Sequence, residues 1–153
     1  MAKAKNRHKA EIAVIGSGYW GKNLVRNYYQ LGALKLICDS NESALENFSS
    51  QYGEVETCVA LNDVIGRSDI KGVVIASPAE THYTLAREAL LAGKHVYVEK
   101  PLTHNIYEAR MLTQAARQYN VVTQMGNQGN SSDDIRRICE WIWAGAIGDV
   151  YKV

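Results

Sequence analysis

The sequence predicts an α/β fold built on a doubly wound parallel sheet. Six short apolar segments alternate with amphipathic segments of helical periodicity along the chain. The first apolar segment, from Ile12 to Ile15, has no polar interruption, which is typical of a strand buried on both faces. A glycine-rich turn and a helical segment follow it directly. This succession predicts parallel strands joined by right-handed crossovers.

The length and composition are those of one ordinary domain. A chain of 153 residues is long enough to bury a substantial core, and its net charge of +1 gives no reason to expect a nucleic-acid partner. No apolar run approaches the length of a membrane span. Three widely spaced cysteines favour a reducing compartment, by default the cytoplasm, over disulfides or a zinc site. Residues 1–10 are expected to form a basic, disordered tail.

The turn after the first strand carries three glycines in the spacing G-x-G-x-x-G. Gly16 permits a sharp turn, Gly18 leaves no Cβ between the backbone and a bound pyrophosphate, and Gly21 permits close packing of the helix. A pyrophosphate would lie at the start of that helix, held by its free N–H groups and dipole. The alternative is that these glycines serve the turn alone.

An acidic residue follows the second predicted strand, Leu34 to Cys38. Asp39 stands about twenty residues beyond the glycine turn, where an acid accepts hydrogen bonds from the adenosine ribose hydroxyls. Its charge would repel a 2′-phosphate, so NAD is favoured over NADP. The alternative is a loop aspartate that caps the next helix, although Ser40 and Asn41 are better placed to do so.

The later elements follow from the same periodicities. Helices are predicted at about 42–52, 61–65, 81–92, 105–119 and 132–144, and strands at 57–60, 72–76, 95–98 and 121–125. Tyr151 to Val153 then resemble the opening of another strand. The predicted organisation is therefore a nucleotide-binding domain over residues 11–144, followed at 145–153 by the start of a second domain whose remainder is absent.

Several polar residues follow the later strands, at the edge where parallel sheets bind ligands. They are Ser77 and Pro78 after the fourth strand, Glu99, Lys100 and Pro101 after the fifth, and Asn127 and Gln128 after the sixth. Lys100 is the reactive group, because a positively charged nicotinamide beside it would disfavour its protonated form and suit it to take a proton from a substrate hydroxyl. The alternatives are a solvated lysine at a strand end and, for Asn127 and Gln128, bonding within their own loop rather than to the nicotinamide carboxamide.

Three motifs together resemble the Gfo/Idh/MocA oxidoreductases. They are the sequence Gly-Ser-Gly-Tyr-Trp-Gly at 16–21, Ser77-Pro78 with His82 four residues on, and Glu99-Lys100-Pro101. The resemblance covers the chain from about residue 11 onward and implies a Rossmann domain that binds NAD. It also implies that Lys100 is the catalytic lysine, that Glu99 lies near the nicotinamide ribose, and that a cis peptide bond precedes Pro101.

The same resemblance places Tyr19, Trp20 and His82 in the cofactor site. His82 could equally be a local hydrogen-bonding residue, and Trp20 could instead pack against a second domain. In this family the second domain supplies most sugar contacts, a further histidine and often the oligomer interface. A small-molecule sugar substrate is therefore implied, with a homo-oligomer for the two-domain form and little turnover from this chain by itself.

Two parts of the chain point to different branches of the family. Ile12 to Asp39 is similar to dehydrogenases of UDP-N-acetylated hexosamines or their uronic acids. In contrast, 124–129 and 140–145 resemble other sugar oxidoreductases, in which a histidine often stands where this chain has Asn130.

Two other functions are compatible with a glycine turn and an acid after the second strand. A non-catalytic dinucleotide sensor would leave the Glu99-Lys100-Pro101 motif without a role. A methyltransferase that uses S-adenosylmethionine would need no lysine after the fifth strand and usually has a reversed last strand.

Overall fold

A computed structural model describes residues 11–152 and contains one parallel sheet with the strand order β3-β2-β1-β4-β5-β6. The elements in chain order are β1 (Ile12–Ile15), α1 (Gly21–Gln30), β2 (Leu34–Cys38), α2 (Glu42–Gln51), β3 (Glu56–Cys58), α3 (Leu61–Ile65), β4 (Gly72–Ile75), α4 (His82–Leu91), β5 (His95–Glu99), α5 (Ile106–Gln118), β6 (Thr123–Gly126) and α6 (Asp133–Trp143). The predicted fold class is confirmed. The N-terminal tail of residues 1–10 lies outside the described residues.

The strand order reverses between β1 and β4. From β1 the chain proceeds outward to β2 and β3, then returns to pair β4 with the other side of β1 and continues to β5 and β6. Loops that leave β1 and β4 at their carboxyl ends therefore diverge to opposite sides. This divergence opens the crevice in which such sheets bind their ligands.

Two apolar layers hold the helices to the sheet. One layer packs α3, α4 and α5 against one face through Val64, Leu90 and Leu112. The other packs α1 and α2 against the opposite face through Val25 and Leu45. All four residues of β4 and the last three of β1 are buried, as their uninterrupted apolar sequence predicts.

Several element boundaries differ from the prediction by one or two residues. β3 ends at Cys58 rather than at residue 60, because Ala60 is already the N-cap residue of α3. The last helix begins one residue later than predicted, since the Ser132 side chain caps it by accepting a hydrogen bond from the Ile135 N–H at 3.3 Å.

The C-terminal segment does not form the strand that its sequence suggests. Tyr151 and Lys152 have no regular secondary structure, and Val153 lies outside the described residues. A strand needs a neighbour for its backbone hydrogen bonds, and no described strand lies beside this segment. Among residues 11–152, no helix is long and apolar enough to cross a membrane.

Candidate cofactor site

The glycine turn adopts the geometry that its sequence predicts. Gly16 has φ +88°, a conformation that side chains with a Cβ rarely adopt, and its N–H donates to the Cys38 carbonyl at 2.8 Å. A Cβ on Gly21 would overlap the Gly16 carbonyl oxygen, so this glycine is required for the close approach of α1. Gly18 faces open space, where a Cβ would meet nothing within 4 Å. The space that Gly18 leaves is therefore available to a ligand.

Asp39 is held in place by the glycine turn itself. Its Oδ2 accepts hydrogen bonds from both the backbone N–H and the hydroxyl of Ser17, at 2.6 and 2.7 Å, and its Oδ1 accepts from the Asn41 N–H at 2.9 Å. Burial opposes ionisation, but the bonds from Ser17 and Asn41 outweigh it and hold the pKa of Asp39 below its ordinary value. The carboxylate is therefore charged and fixed at the end of β2.

A cavity of about 510 Å³ lies between the glycine turn and the loop after β4. Gly16, Gly18 and Asp39 line one side, and Pro78 lines the other. Apolar side chains from the segments after β3 and along α4 complete the wall, including Val59, Leu61 and Leu85. A polar acid at one edge of an apolar slot suits a nucleoside, whose base is flat and whose ribose carries hydroxyls.

A second cavity of about 470 Å³ continues from the first across the crevice. The two cavities share Ala76 and Ser77 in their linings. The second is lined further by Trp20, His82, Glu99, Lys100 and Gln128. Asp39 thus lies at one end of the crevice and Lys100, the predicted catalytic lysine, at the other, and the two cavities meet at Ala76 and Ser77.

Glu99 belongs to a polar network at the floor of this second cavity. Glu99 is only 7% exposed, and its carboxylate accepts a hydrogen bond from the Gln128 side-chain amide at 2.6 Å. The same amide donates to the Tyr97 hydroxyl at 3.0 Å. A Cβ on Gly126 would lie 2.8 Å from both Glu99 Oε2 and the Tyr97 hydroxyl, so a larger residue there would displace the ends of these two side chains. Burial and the nearby Glu99 charge raise the pKa of Tyr97. The network fixes Glu99 without neutralising it by a cation.

Lys100 follows Glu99 directly and lies on the exposed side of the same cavity. No hydrogen bond or ion pair joins its ammonium group to another of the residues 11–152. The peptide bond between Lys100 and Pro101 is cis, which confirms that prediction. The lysine is therefore accessible from the cavity.

The other predicted site residues differ in how close they lie to the crevice. Trp20 is the N-cap residue of α1 and lines the second cavity, whereas Tyr19 is 87% exposed and does not contribute to the lining of either cavity. Asn127 is exposed, and its backbone carbonyl accepts from the Asn130 N–H at 3.1 Å. The role of its side-chain amide toward the nicotinamide carboxamide stays a prediction.

His82 takes the local role that the sequence leaves open. The ring is 2% exposed, and its two nitrogens lie 2.6 Å from the Pro101 carbonyl oxygen and 2.9 Å from the Ser77 carbonyl oxygen. Both nitrogens are thus engaged with the protein backbone. The ring contributes to the cavity wall by packing, and a polar bond from it to a cofactor would require the loss of one of these contacts.

Sequence reasoning missed two residues that organise the site. They are Ser17, which bonds to Asp39, and Tyr97, which shares the Gln128 amide with Glu99. The small polar side chain of Ser17 was a usable signal, because it stands at the turn beside the expected position of the acid. Tyr97 gave a weaker signal, namely a polar aromatic residue on the same strand face as Glu99.

Comparison with known proteins identifies the family. Residues 10–127 match the model of the Gfo/Idh/MocA oxidoreductase family, described as an NAD-binding Rossmann fold. The chain belongs to this family. An uncharacterized oxidoreductase of Synechocystis is 43% identical over 124 residues, which are 79% of this chain and 32% of that protein. The scyllo-inositol 2-dehydrogenase (NAD(+)) of Bacillus subtilis is 29% identical over 125 residues, covering 78% of this chain and 36% of that enzyme.

A solved structure extends the likeness to three dimensions. The scyllo-inositol dehydrogenase of Lactobacillus casei, with bound NAD(H) and scyllo-inositol, superposes with a TM-score of 0.82 at 28% identity, over 93% of this chain and 43% of that one. The chain spans less than half the length of the curated relatives that it matches. The share is 24% for a glycosyl hydrolase family 109 protein of Shewanella and 45% for the rhizopine catabolism protein MocA of Rhizobium meliloti.

The cofactor prediction agrees with these findings. This chain is an NAD-binding Rossmann domain. Its crevice contains a glycine turn with open space at Gly18, a hydrogen-bonded acid at Asp39 and a second cavity lined by Lys100. The comparisons do not show the predicted similarity to dehydrogenases of UDP-N-acetylated hexosamines or uronic acids. The relatives with a stated substrate are inositol dehydrogenases and similar proteins.

Proposed function

We propose that this chain is the cofactor-binding part of an NAD-dependent dehydrogenase that oxidises a hydroxyl group of a cyclic polyol or sugar. The observation that carries the proposal is the cavity shared by Glu99 and Lys100, which continues into the cavity that contains Asp39. A site that only sensed a dinucleotide would not need an accessible lysine at the end of the crevice opposite Asp39.

Each end of the crevice has a separate task. Asp39 would accept hydrogen bonds from the adenosine ribose, and the backbone at Gly18 and the start of α1 would bind the pyrophosphate. Glu99, held by Gln128, would accept from the hydroxyls of the nicotinamide ribose. Bound NAD supplies the acceptor for the hydride that leaves the carbinol carbon of the substrate. These contacts orient the cofactor with its nicotinamide toward Lys100.

Lys100 would accept the proton that oxidation releases and return it in the reverse reaction. Oxidation of a carbinol releases a hydride from carbon and a proton from oxygen, and the neutral amine of Lys100 would take that proton and become an ammonium ion. In the reverse direction the ammonium ion returns the proton to the carbonyl oxygen. A charged amine beside this oxygen also stabilises negative charge that develops on it.

The substrate class is proposed from the relatives. Two of them are named as scyllo-inositol dehydrogenases, and a cyclic polyol of this kind carries the secondary hydroxyl that the chemistry needs. A UDP-N-acetylated hexosamine or its uronic acid is the second candidate, favoured by the sequence of Ile12 to Asp39.

Calorimetric titration of the chain with NAD, NADP and S-adenosylmethionine tests the cofactor. We expect NAD to bind most tightly and the affinity to fall at least about tenfold in Asp39→Ala, because two ribose hydroxyls lose a charged acceptor. Asp134→Ala on α6, whose side chain is 85% exposed, is the control and should bind NAD as the unaltered chain does. Preferential binding of S-adenosylmethionine would refute the proposal.

A second measurement separates a dehydrogenase from a sensor. Nuclear Overhauser effects between the nicotinamide protons of bound NAD and the Lys100 side chain are expected if the ring occupies the second cavity. In Lys100→Met, nuclear Overhauser effects should be seen between the nicotinamide protons and the methionine side chain. The affinity for NAD should change less than about threefold, since the lysine acts on the substrate. A nicotinamide that remains mobile while the adenosine half is bound would instead indicate a non-catalytic sensor.

A further inference from the structure

The buried ring of His82 joins two segments that carry the candidate site. His82 is the first residue of α4, and its Nε2 lies 2.9 Å from the Ser77 carbonyl oxygen in the loop after β4. Its Nδ1 lies 2.6 Å from the carbonyl oxygen of Pro101, which directly follows Lys100. One side chain therefore bridges the two loops that line the second cavity.

The chemistry of the two partners determines how many protons the ring needs. A backbone carbonyl oxygen only accepts hydrogen bonds, and a neutral imidazole has one N–H and one bare nitrogen. A neutral His82 would thus form one of the two bonds and point a lone pair at the other carbonyl oxygen. In a site that is 2% exposed, water cannot relieve that repulsion easily. Both contacts are hydrogen bonds only when both ring nitrogens carry protons.

We propose that His82 is a positioning residue whose doubly protonated ring ties the loop after β4 to the segment that carries Lys100. The proposal concerns the active-site lysine and so rests, for its catalytic consequence, on the function proposed above. By fixing the Pro101 carbonyl, the ring fixes the backbone from which the Lys100 side chain projects into the cavity. It acts through the positions of the two loops that line the second cavity, where the nicotinamide would lie, and does not itself contact the substrate.

The charges near the ring are of both signs. From the end of β5, the Glu99 carboxylate and the Lys100 ammonium line the same cavity as His82, and Glu80 lies in the 3₁₀ turn Ala79–Thr81 that precedes α4. The first turn of α4 itself contains no acidic residue. Glu99 is only 7% exposed and lines the same cavity as the ring.

His95 provides an internal reference with the opposite expectation. Its Nδ1 accepts a hydrogen bond from the Val122 backbone N–H at 3.0 Å. A nitrogen that accepts such a bond carries no proton, so the His95 ring has a bare Nδ1 while this bond exists. The two histidines should therefore differ in the same spectrum.

The first test is a long-range ¹H–¹⁵N correlation spectrum of the chain labelled at histidine, recorded near neutral pH. His82→Gln and His95→Gln assign the two rings. We expect both His82 nitrogens to carry protons that exchange slowly with water, and His95 to show a bare Nδ1. A bare nitrogen on His82 under these conditions would overturn the proposal. The spectrum needs no cofactor, so its result does not depend on whether the proposed function is correct.

The second test measures the consequence for the site. NAD and ADP-ribose share the adenosine half, and only NAD reaches the second cavity with a nicotinamide. In His82→Gln we expect the affinity for NAD to fall about tenfold, while the affinity for ADP-ribose changes less than about twofold. Equal loss for both ligands would mean that the substitution disturbs the whole fold, and no loss for either would mean that the bridge does not position the site; either outcome overturns the proposal.

A control separates this effect from loss of any histidine. The His104 side chain is 48% exposed and lies 3.6 Å from Glu108 on the surface of α5. His104→Gln should leave both affinities unchanged. If His82→Gln does not fold, the spectrum of the unaltered chain still decides the protonation of the ring, with His95→Gln and His104→Gln used to assign the other two described histidines.

Discussion

Ser17 donates two hydrogen bonds to a single oxygen of Asp39, one from its backbone N–H at 2.6 Å and one from its hydroxyl at 2.7 Å. The turn that would bind the pyrophosphate and the acid that would bind the ribose are thus parts of one hydrogen-bonded unit. This arrangement fixes the carboxylate before any ligand arrives, so less conformational entropy is lost on binding.

The charge of Asp39 should decide the preference between the two dinucleotides. Asp39→Asn keeps the size of the side chain and removes its charge, so the repulsion of a 2′-phosphate disappears together with the strong acceptor for the ribose. We expect the ratio of NAD affinity to NADP affinity to fall by at least about tenfold. Calorimetric titration with each dinucleotide gives the ratio.

Asp134→Asn is the matched control for this ratio. It removes the same charge from the exposed surface of α6, where the charge is screened and lies outside the lining of both cavities. If both variants change the ratio equally, the preference reflects the net charge of the chain rather than contact at the end of β2.

Ser17 should act on NAD only through Asp39. Ser17→Ala removes the hydroxyl bond and retains the backbone N–H bond, so we expect a loss of NAD affinity of about threefold to tenfold, smaller than for Asp39→Ala. Titration of the double variant completes a double-mutant cycle. Because the two side chains share one hydrogen bond, the double variant should lose little more than Asp39→Ala alone. Additive losses would mean that Ser17 contributes to binding independently.

The parts of the site that the sequence predicted are those set by short segments. The glycine turn and Asp39 directly follow β1 and β2, and Glu99-Lys100-Pro101 begins at the last residue of β5. Their placement therefore needs only the strand and the rule that ligands bind at its carboxyl end. The cap at Asn41 was predictable for the same reason, because it accepts from the Ala44 N–H only three residues away.

The contacts that were not predicted join distant parts of the chain. Ser17 and Asp39 are 22 residues apart, His82 and Pro101 are 19 apart, and Gln128 and Glu99 are 29 apart. Whether such side chains meet depends on the register between parallel strands and on the path of each loop, neither of which hydrophobic periodicity specifies. The exposure of Tyr19 could not be predicted either, because it also depends on the path of its loop.

Gly21 and Gly18 should respond in opposite ways to the same substitution. A Cβ on Gly21 would overlap the Gly16 carbonyl oxygen, which is backbone and cannot rotate away, so Gly21→Ala should lower the free energy of unfolding by about 1–3 kcal/mol. A Cβ on Gly18 meets nothing within 4 Å, and Gly18→Ala should leave that free energy within about 0.5 kcal/mol of the original.

Urea denaturation and NAD titration of both glycine variants check this contrast. Gly18→Ala should fold and yet bind NAD at least about tenfold more weakly, because the methyl group would occupy the space left for the pyrophosphate. A Gly18→Ala variant that binds NAD normally would place the pyrophosphate elsewhere on the turn.

Cys38 should make the stability of the fold depend on alkaline pH. Burial, with a smaller contribution from the adjacent Cys58, raises the pKa of the Cys38 thiol from 9.0 to about 12. The folded state then keeps its proton where the unfolded state has lost it. The stabilisation is complete below about pH 9 and is lost as the pH rises toward about 12. We expect the free energy of unfolding to fall with pH across this range, and to fall less steeply in Cys38→Ala.

A core truncation separates this titration from the cost of a smaller side chain. Cys38→Ala also leaves a small cavity, which lowers stability by the same amount at every pH. Leu112→Ala, at a position that is 5% exposed in the layer that packs α5, should show only such a constant offset. Tyr28 and Tyr97, whose pKa values are also raised chiefly by burial, belong to the opposite layer and remain in all three proteins. The difference in slope between Cys38→Ala and Leu112→Ala therefore reports the Cys38 thiol together with its effect on Cys58, whose pKa burial also raises. Equal slopes would show that the unfolded chain holds the Cys38 proton as tightly as the fold does.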